Sequence, residues 1–166
     1  MNTMEIQKKK ILVVEDDRDI TLSIKEGLEF HGYEMIGSAV SGEQALSMLE
    51  KKNPDLILMD IKLMGDMDGV DTAEQVRSKF KIPVVYLTGL TDDKILDRAK
   101  LTDPYGYIVK PFALNELKVA IEIAFHKHAN QMKKEKTISL LQDSVAEIMF
   151  DYTKRKPKPM KGGWMT

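Results

Sequence analysis

The sequence predicts an α/β fold: a doubly wound five-stranded parallel sheet with a C-terminal helical extension. Three observations carry that reading. Short aliphatic runs recur through the body of the chain: Ile11-Leu12-Val13-Val14, Leu56-Ile57-Leu58-Met59, Val84-Val85-Tyr86-Leu87 and Tyr107-Ile108-Val109. Amphipathic stretches with helix-capping residues separate them. Continuous apolar runs of this length are the pattern of strands buried on both faces, as in parallel sheets. Finally, each run stops at a polar group: Glu15-Asp16-Asp17, Asp60, Thr88 and Lys110-Pro111.

The elements follow in order. Residues 11–15 form the first strand. Residues 18–31 read as a helix with Ile20, Ile24 and Leu28 on one face, closed by Gly32 at the C′ position. Residues 33–37 make a short second strand. Ser41-Gly-Glu-Gln44 is a capping-box pattern that opens a helix to about Lys52, where Asn53-Pro54 stops it. Residues 55–60 are the third strand and 61–69 a loop rich in Gly and Asp. A helix over 70–80 buries Val70, Ala73 and Val76. Residues 82–88 are the fourth strand, and a helix at about 92–101 is capped by Thr91 or Asp92. Residues 105–110 are the fifth strand, and a helix begins near Ala113.

Short connections and right-handed crossovers place helices on both faces of such a sheet. The expected strand order is the flavodoxin-like 2-1-3-4-5, which sets strand one beside strand three. Glu15, Asp16 and Asp60 then become neighbours at the carboxyl edge, where ligands bind in open α/β sheets.

Beyond the sheet, no Gly or Pro interrupts residues 112–156. Leu117, Ile121, Ala124 and Phe125 form one apolar stripe, expected to cover the sheet. A polar stretch over 126–136 follows, then a second stripe of Ile138, Leu141, Val145, Ile148 and Tyr152 with a/d-like spacing. The expected organisation is a flexible N-terminus at 1–8, the sheet domain at 9–130, a helical extension at 131–153 and a basic, disordered tail at 154–166. The stripe at 137–153 is expected either to pair with a second copy or to pack back onto the body.

Composition narrows the function classes. The chain has 166 residues, is 43% hydrophobic and 31% charged, and carries a net charge of −1. It has no cysteine, which removes disulfides, thiolate nucleophiles and cysteine-bound zinc. No apolar stretch approaches the roughly 18 residues of a membrane span. The run after Lys8-Lys9-Lys10 is too short for a signal peptide, so the expected location is cytoplasmic. No G-x-G-x-x-G or P-loop motif supports nucleotide binding. His126 and His128 are two residues apart on a helix and point away from each other.

The strand-end groups define a chemistry. Mg²⁺ takes oxygen ligands and is usually held by one or two carboxylates plus a phosphate oxygen. Asp16 and Asp60 suit direct ligation, with Glu15 acting through water. A carboxylate freed from repulsion by a cation can attack phosphorus. Lys110 supplies a point charge for a phosphoryl oxygen and Thr88 a hydroxyl donor. Taken singly, each residue is a common strand-end or helix-start residue; together they describe a phosphoryl site.

The segments ILVVEDD at 11–17, DLILMD at 55–60, MDG at 67–69, IPVVYLTG at 82–89 and GYIVKPF at 106–112 resemble the receiver domain of two-component response regulators. The resemblance spans about residues 9–128. It implies that Asp60 is the phosphoacceptor and that Glu15, Asp16, Asp60 and the Lys62 backbone carbonyl hold Mg²⁺, with Mn²⁺ as the alternative ion. It implies that Thr88 and Lys110 contact the phosphoryl group, that Thr88 and Tyr107 form the switch, and that Lys62 and Leu90 tune hydrolysis. It also implies a cis Lys110-Pro111 bond. The loop Ile61–Gly69 departs from the family pattern: it is one residue longer and lacks the usual proline. The wording GDMDG and PYGYIVKPF is similar to that of stand-alone archaeal receivers.

The resemblance implies a phosphorylated signalling protein rather than an enzyme, one that assists its own phosphorylation and dephosphorylation. Its expected partners are a sensor histidine kinase and a downstream protein reached through the helix 4–strand 5–helix 5 face, or a phosphorelay. An alternative is direct nucleic-acid contact through the basic tail, where Lys154-Arg155-Lys156 could neutralise phosphates without reading sequence. A third reading, a metal-dependent phosphatase, lacks a general acid two residues after Asp60, where Lys62 stands.

Overall fold

Five parallel strands form one sheet in the order β2-β1-β3-β4-β5. The computed structural model describes residues 6–89 and 93–155. The strands are β1 (Lys10–Val14), β2 (Glu34–Ala39), β3 (Leu56–Asp60), β4 (Val84–Thr88) and β5 (Gly106–Val109). The helices are α1 (Arg18–Phe30), α2 (Gly42–Leu49), α3 (Gly69–Lys79), α4 (Asp93–Leu101) and α5 (Leu114–Arg155). The expected order and layering therefore hold.

Alternation along each strand divides the core in two. Leu12, Val14, Ile57, Met59 and Tyr86 face α2, α3 and α4 through Ala45, Leu49, Val70, Val76 and Ala99. Ile11, Val13, Leu56, Leu58, Val85 and Leu87 face α1 and α5 through Ile24, Leu28, Leu117 and Ile121. Each such side chain, fully buried, stabilises the fold by about 1.5–3 kcal/mol. Both faces of the central strands are covered, which is why these strands read as unbroken apolar runs.

The helix starts are chemically specified. The Asp17 side chain accepts from the Asp19 and Ile20 amides at 2.9 and 3.1 Å. Ser41 Oγ accepts from Gln44 N at 3.2 Å. The Gln44 side chain reaches back to Val40 N at 2.9 Å, one residue beyond the expected capping box. Gly32 ends α1 with φ +82°, as its C′ position requires.

Several boundaries differ from expectation. The structure closes α2 at Leu49, short of Lys52, and the Lys51 and Lys52 amides both donate to the Met48 carbonyl in the turn that follows, at 3.1 and 2.9 Å. Strand β2 reaches Ala39, where Val14 pairs with it. Helix α5 includes Lys154 and Arg155, two residues assigned above to the tail; residues 156–166 lie outside the described residues. So do Thr91 and Asp92, the expected caps of α4. The chain divides into two units between His128 and Ala129. Among the described residues no helix is long and apolar enough to cross a membrane.

Candidate functional site

Three strand ends on the same edge of the sheet deliver the charged groups. Glu15 follows β1 directly, and its amide donates to the Ala39 carbonyl at 3.0 Å. Asp60 is the last residue of β3. Lys110 follows β5, and its amide donates to the Thr88 carbonyl at 2.8 Å. The Lys110-Pro111 bond is cis, in the turn that leads to α5.

Lys110 Nζ donates to Glu15 Oε2 at 2.6 Å and to Asp60 Oδ2 at 3.0 Å. The other oxygens are held by backbone. Glu15 Oε1 accepts from Asp17 N at 3.0 Å, and Asp60 Oδ1 accepts from Lys62 N at 3.0 Å. Glu15 and Asp60 are buried, at 2% and 6% exposure, whereas Asp16 is open to solvent. One carboxylate oxygen from each of Glu15, Asp16 and Asp60 lies within 4.8 Å of the others. Three hard oxygen donors, with one exposed member giving access, suit a divalent cation such as Mg²⁺.

The electrostatics follow from this geometry. Burial pushes Glu15 up to about 7, against the hydrogen bonds from Lys110 and Asp17, and the nearby Asp60 charge pushes the same way as burial. Burial works to lower the Lys110 pKa, but its hydrogen bonds to Glu15 and Asp60 outweigh that and raise it. Two carboxylates thus share one ammonium.

A cavity of about 170 Å³ opens beside Asp60, lined by Lys62, Thr88, Gly89, Ile95, Leu96 and Lys110 among others. Thr88 is buried at the end of β4, next to β5. Tyr107 sits on β5 opposite Tyr86, with ring centroids 5.9 Å apart, and is 39% exposed. The structure thus gathers Glu15, Asp16, Asp60, Lys62, Thr88 and Lys110 at one edge. Leu90 lies outside the described residues.

Two supports of the site are not apparent in the sequence. Asp68 caps α3 in a reciprocal capping box with Asp71, and Arg98 on α4 donates to both, at 2.8 and 2.7 Å. The Asp-x-x-Asp spacing was a usable cue for the cap; nothing local marks an arginine so far along the chain. Gly69 forms the second support. Its amide donates to the Ile61 carbonyl at 2.9 Å, and a Cβ there would overlap the Asp60 carbonyl oxygen. The longer loop therefore returns tightly to the end of β3.

The model of the response regulator receiver domain matches residues 11–122. The chain belongs to this family. As a response regulator receiver it is part of two-component signalling. It is similar to the transcriptional regulatory protein PdtaR of Mycobacterium tuberculosis, with 33% identity over 89% of this chain and 68% of that one. It is also similar to the signal receiver domain of a modulated diguanylate cyclase from Desulfovibrio desulfuricans, at 34% identity and a TM-score of 0.72. That match covers 75% of this chain and 99% of the solved one. A CheY-like receiver from Methanospirillum hungatei matches at 28% identity and a TM-score of 0.69, again over 75% and 99%.

Proposed function

We propose that this receiver is a phosphorylation switch in which Asp60 accepts a phosphoryl group from the phosphohistidine of a sensor kinase. The observation that carries this is the Lys110 ammonium, bonded at once to Glu15 and Asp60 beside the exposed Asp16. In the step, an Asp60 carboxylate oxygen bonds to phosphorus, the phosphorus–nitrogen bond breaks, and the imidazole leaves with the electron pair and takes a proton from solvent. Bound Mg²⁺, or Mn²⁺, would supply charge neutralisation for the phosphoryl oxygens.

The side chains do the remainder. Glu15, Asp16 and Asp60 would hold the cation, with the Lys62 carbonyl as a further ligand. Lys110 exchanges a carboxylate partner for a phosphoryl oxygen, which needs only a small movement of its ammonium. Thr88 donates its hydroxyl to a second oxygen. Movement of Thr88 then gives the Tyr107 ring room to turn inward, and the surface of α4, β5 and α5 changes shape for a downstream protein or a relay. Lys62, in the lining of the cavity beside Asp60, stands where it would tune the approach of water. We place the exchange in the cytoplasm, on the grounds of family membership.

The test is incubation with acetyl phosphate and Mg²⁺, followed by intact-mass measurement. The expected result is the gain of one phosphoryl group, absent in Asp60→Asn and in excess chelator. An equal gain in Asp60→Asn contradicts the assignment.

A further inference from the structure

Every residue from Ala129 to Arg155 is exposed, including the large apolar side chains of the second stripe. Ile138, Leu141, Val145, Ile148 and Tyr152 are 55–68% exposed. Ile138, Leu141, Val145 and their neighbours Gln142 and Ala146 lie together on one open face of α5. The spacing places Ile138, Val145 and Tyr152 at heptad position a, and Leu141 and Ile148 at d. Of the flanking e and g positions over 137–152, Thr137, Gln142, Ser144 and Met149 are uncharged and Asp151 alone, at g beside Tyr152, carries a charge. Asp143 and Glu147 lie at f and c, away from the seam.

The charges that bracket the stripe fit a second copy of the segment in one direction only. Lys134 and Arg155 both fall at d. A parallel pair sets each seam residue against itself, so Lys134 would meet Lys134 and Arg155 would meet Arg155. An antiparallel pair sets a against d. In the register that joins Ile138 to Ile148 and Leu141 to Val145, Lys134 meets Tyr152 and Gln131 meets Arg155. The lysine stem then lies along the ring with its ammonium free to reach the π face or water. Asp151 at g meets Thr137, and Glu135 at e meets Met149. No like charges oppose one another, and polar layers at residues 131, 134 and 155 flank the apolar seam of Ile138 to Tyr152.

We infer that residues 131–155 pair with the same segment of a second copy of this chain as an antiparallel two-stranded coiled coil. The interface is two-fold symmetric, each copy burying the same five apolar side chains. It uses none of the residues of the phosphoryl site and is independent of that reading.

The test uses the full chain, whose lack of cysteine makes introduced thiols unambiguous. Sedimentation equilibrium at micromolar concentration is expected to give twice the monomer mass. Leu141→Glu, a change on an exposed face, is expected to halve that mass and leave the thermal transition of the receiver in place. Under mild oxidation, Ile138→Cys mixed with Ile148→Cys is expected to give a disulfide-linked heterodimer, while neither crosslinks with itself. In a parallel pair those two positions lie about 15 Å apart along the axis and each would crosslink with its own copy. A monomer mass for the unmodified chain overturns the inference. So does a dimer that survives Leu141→Glu, a self-crosslinked Ile138→Cys, or a larger assembly.

Discussion

Lys110 and Glu15, 95 residues apart in sequence, meet at 2.6 Å at the carboxyl edge of the sheet. The contact joins the end of β1 to the end of β5 across β3 and β4, and the same ammonium reaches Asp60 at 3.0 Å. The side chain of Glu15 is 1% exposed and that of Lys110 is 20% exposed. Removing one partner therefore leaves charge in a place water scarcely reaches.

Lys110→Met is expected to destabilise the metal-free protein by about 3 kcal/mol, because two buried carboxylates lose their common cation. Adding Glu15→Gln to that variant removes one of the two buried carboxyl groups left without that partner and is expected to restore part of the loss. Urea unfolding of the two single variants and the double variant measures the coupling. Additive losses would show that the contact carries no energy.

Cation binding adds a second expectation. An ion held by Glu15, Asp16 and Asp60 in the folded chain alone stabilises it by mass action, about 2.7 kcal/mol at 100 times Kd. Calorimetry with and without Mg²⁺ is expected to show a higher Tm with the ion for the unmodified chain. Asp16→Asn is expected to lose most of that increment. An increment unchanged in the variant would place the ion elsewhere.

The α3 cap makes an acid-dependent contribution. Partial burial works to raise the Asp68 pKa, but the Asp71 amide and the Arg98 guanidinium outweigh it and hold the carboxyl below its ordinary 3.8. A folded value below the unfolded one means that the charged form is favoured in the folded state. The stabilisation is complete above about 3.8 and is lost as pH falls through the lower folded value. Asp68→Ala is expected to cost about 1 kcal/mol at neutral pH, and the cost should shrink on acidification below that value. Chemical unfolding at pH 7 and below pH 3.5 or so reads the difference; a cost independent of pH would contradict the charged cap.

Gly69→Ala tests the tight return of the loop. The added methyl meets backbone at Asp60, which cannot move without shifting the end of β3. A loss of about 1–3 kcal/mol is expected, typical of overpacking, together with slower phosphorylation by acetyl phosphate. Stability and rate both unchanged would mean that the loop relaxes freely.

Much of this arrangement was legible in the sequence for a definite reason. Strands buried on both faces must be apolar throughout, so Ile11–Val14, Leu56–Met59 and Val84–Leu87 could be found without periodicity. The ends of those runs locate Glu15, Asp60 and Thr88, and the shorter run Tyr107–Val109 locates Lys110. Helix ends were harder. Lys81 and Asp103 take the left-handed conformation, at φ 56° and 54°, where glycine would have signalled a stop. Arg98 escaped notice because its partners Asp68 and Asp71 lie on another element, and pairing across elements leaves no local pattern. The contact between Tyr86 Oη and Thr102 Oγ1 at 2.7 Å was hidden for the same reason.

The central claim is that Asp60 is the phosphoacceptor. It is tested most directly by treating the acetyl phosphate product with borohydride, which reduces an aspartyl phosphate to homoserine, and sequencing the peptides by mass spectrometry. Homoserine is expected at position 60 and nowhere else, in a reaction that requires Mg²⁺. Label on a different residue, or an unmodified Asp60 in phosphorylated protein, would contradict it.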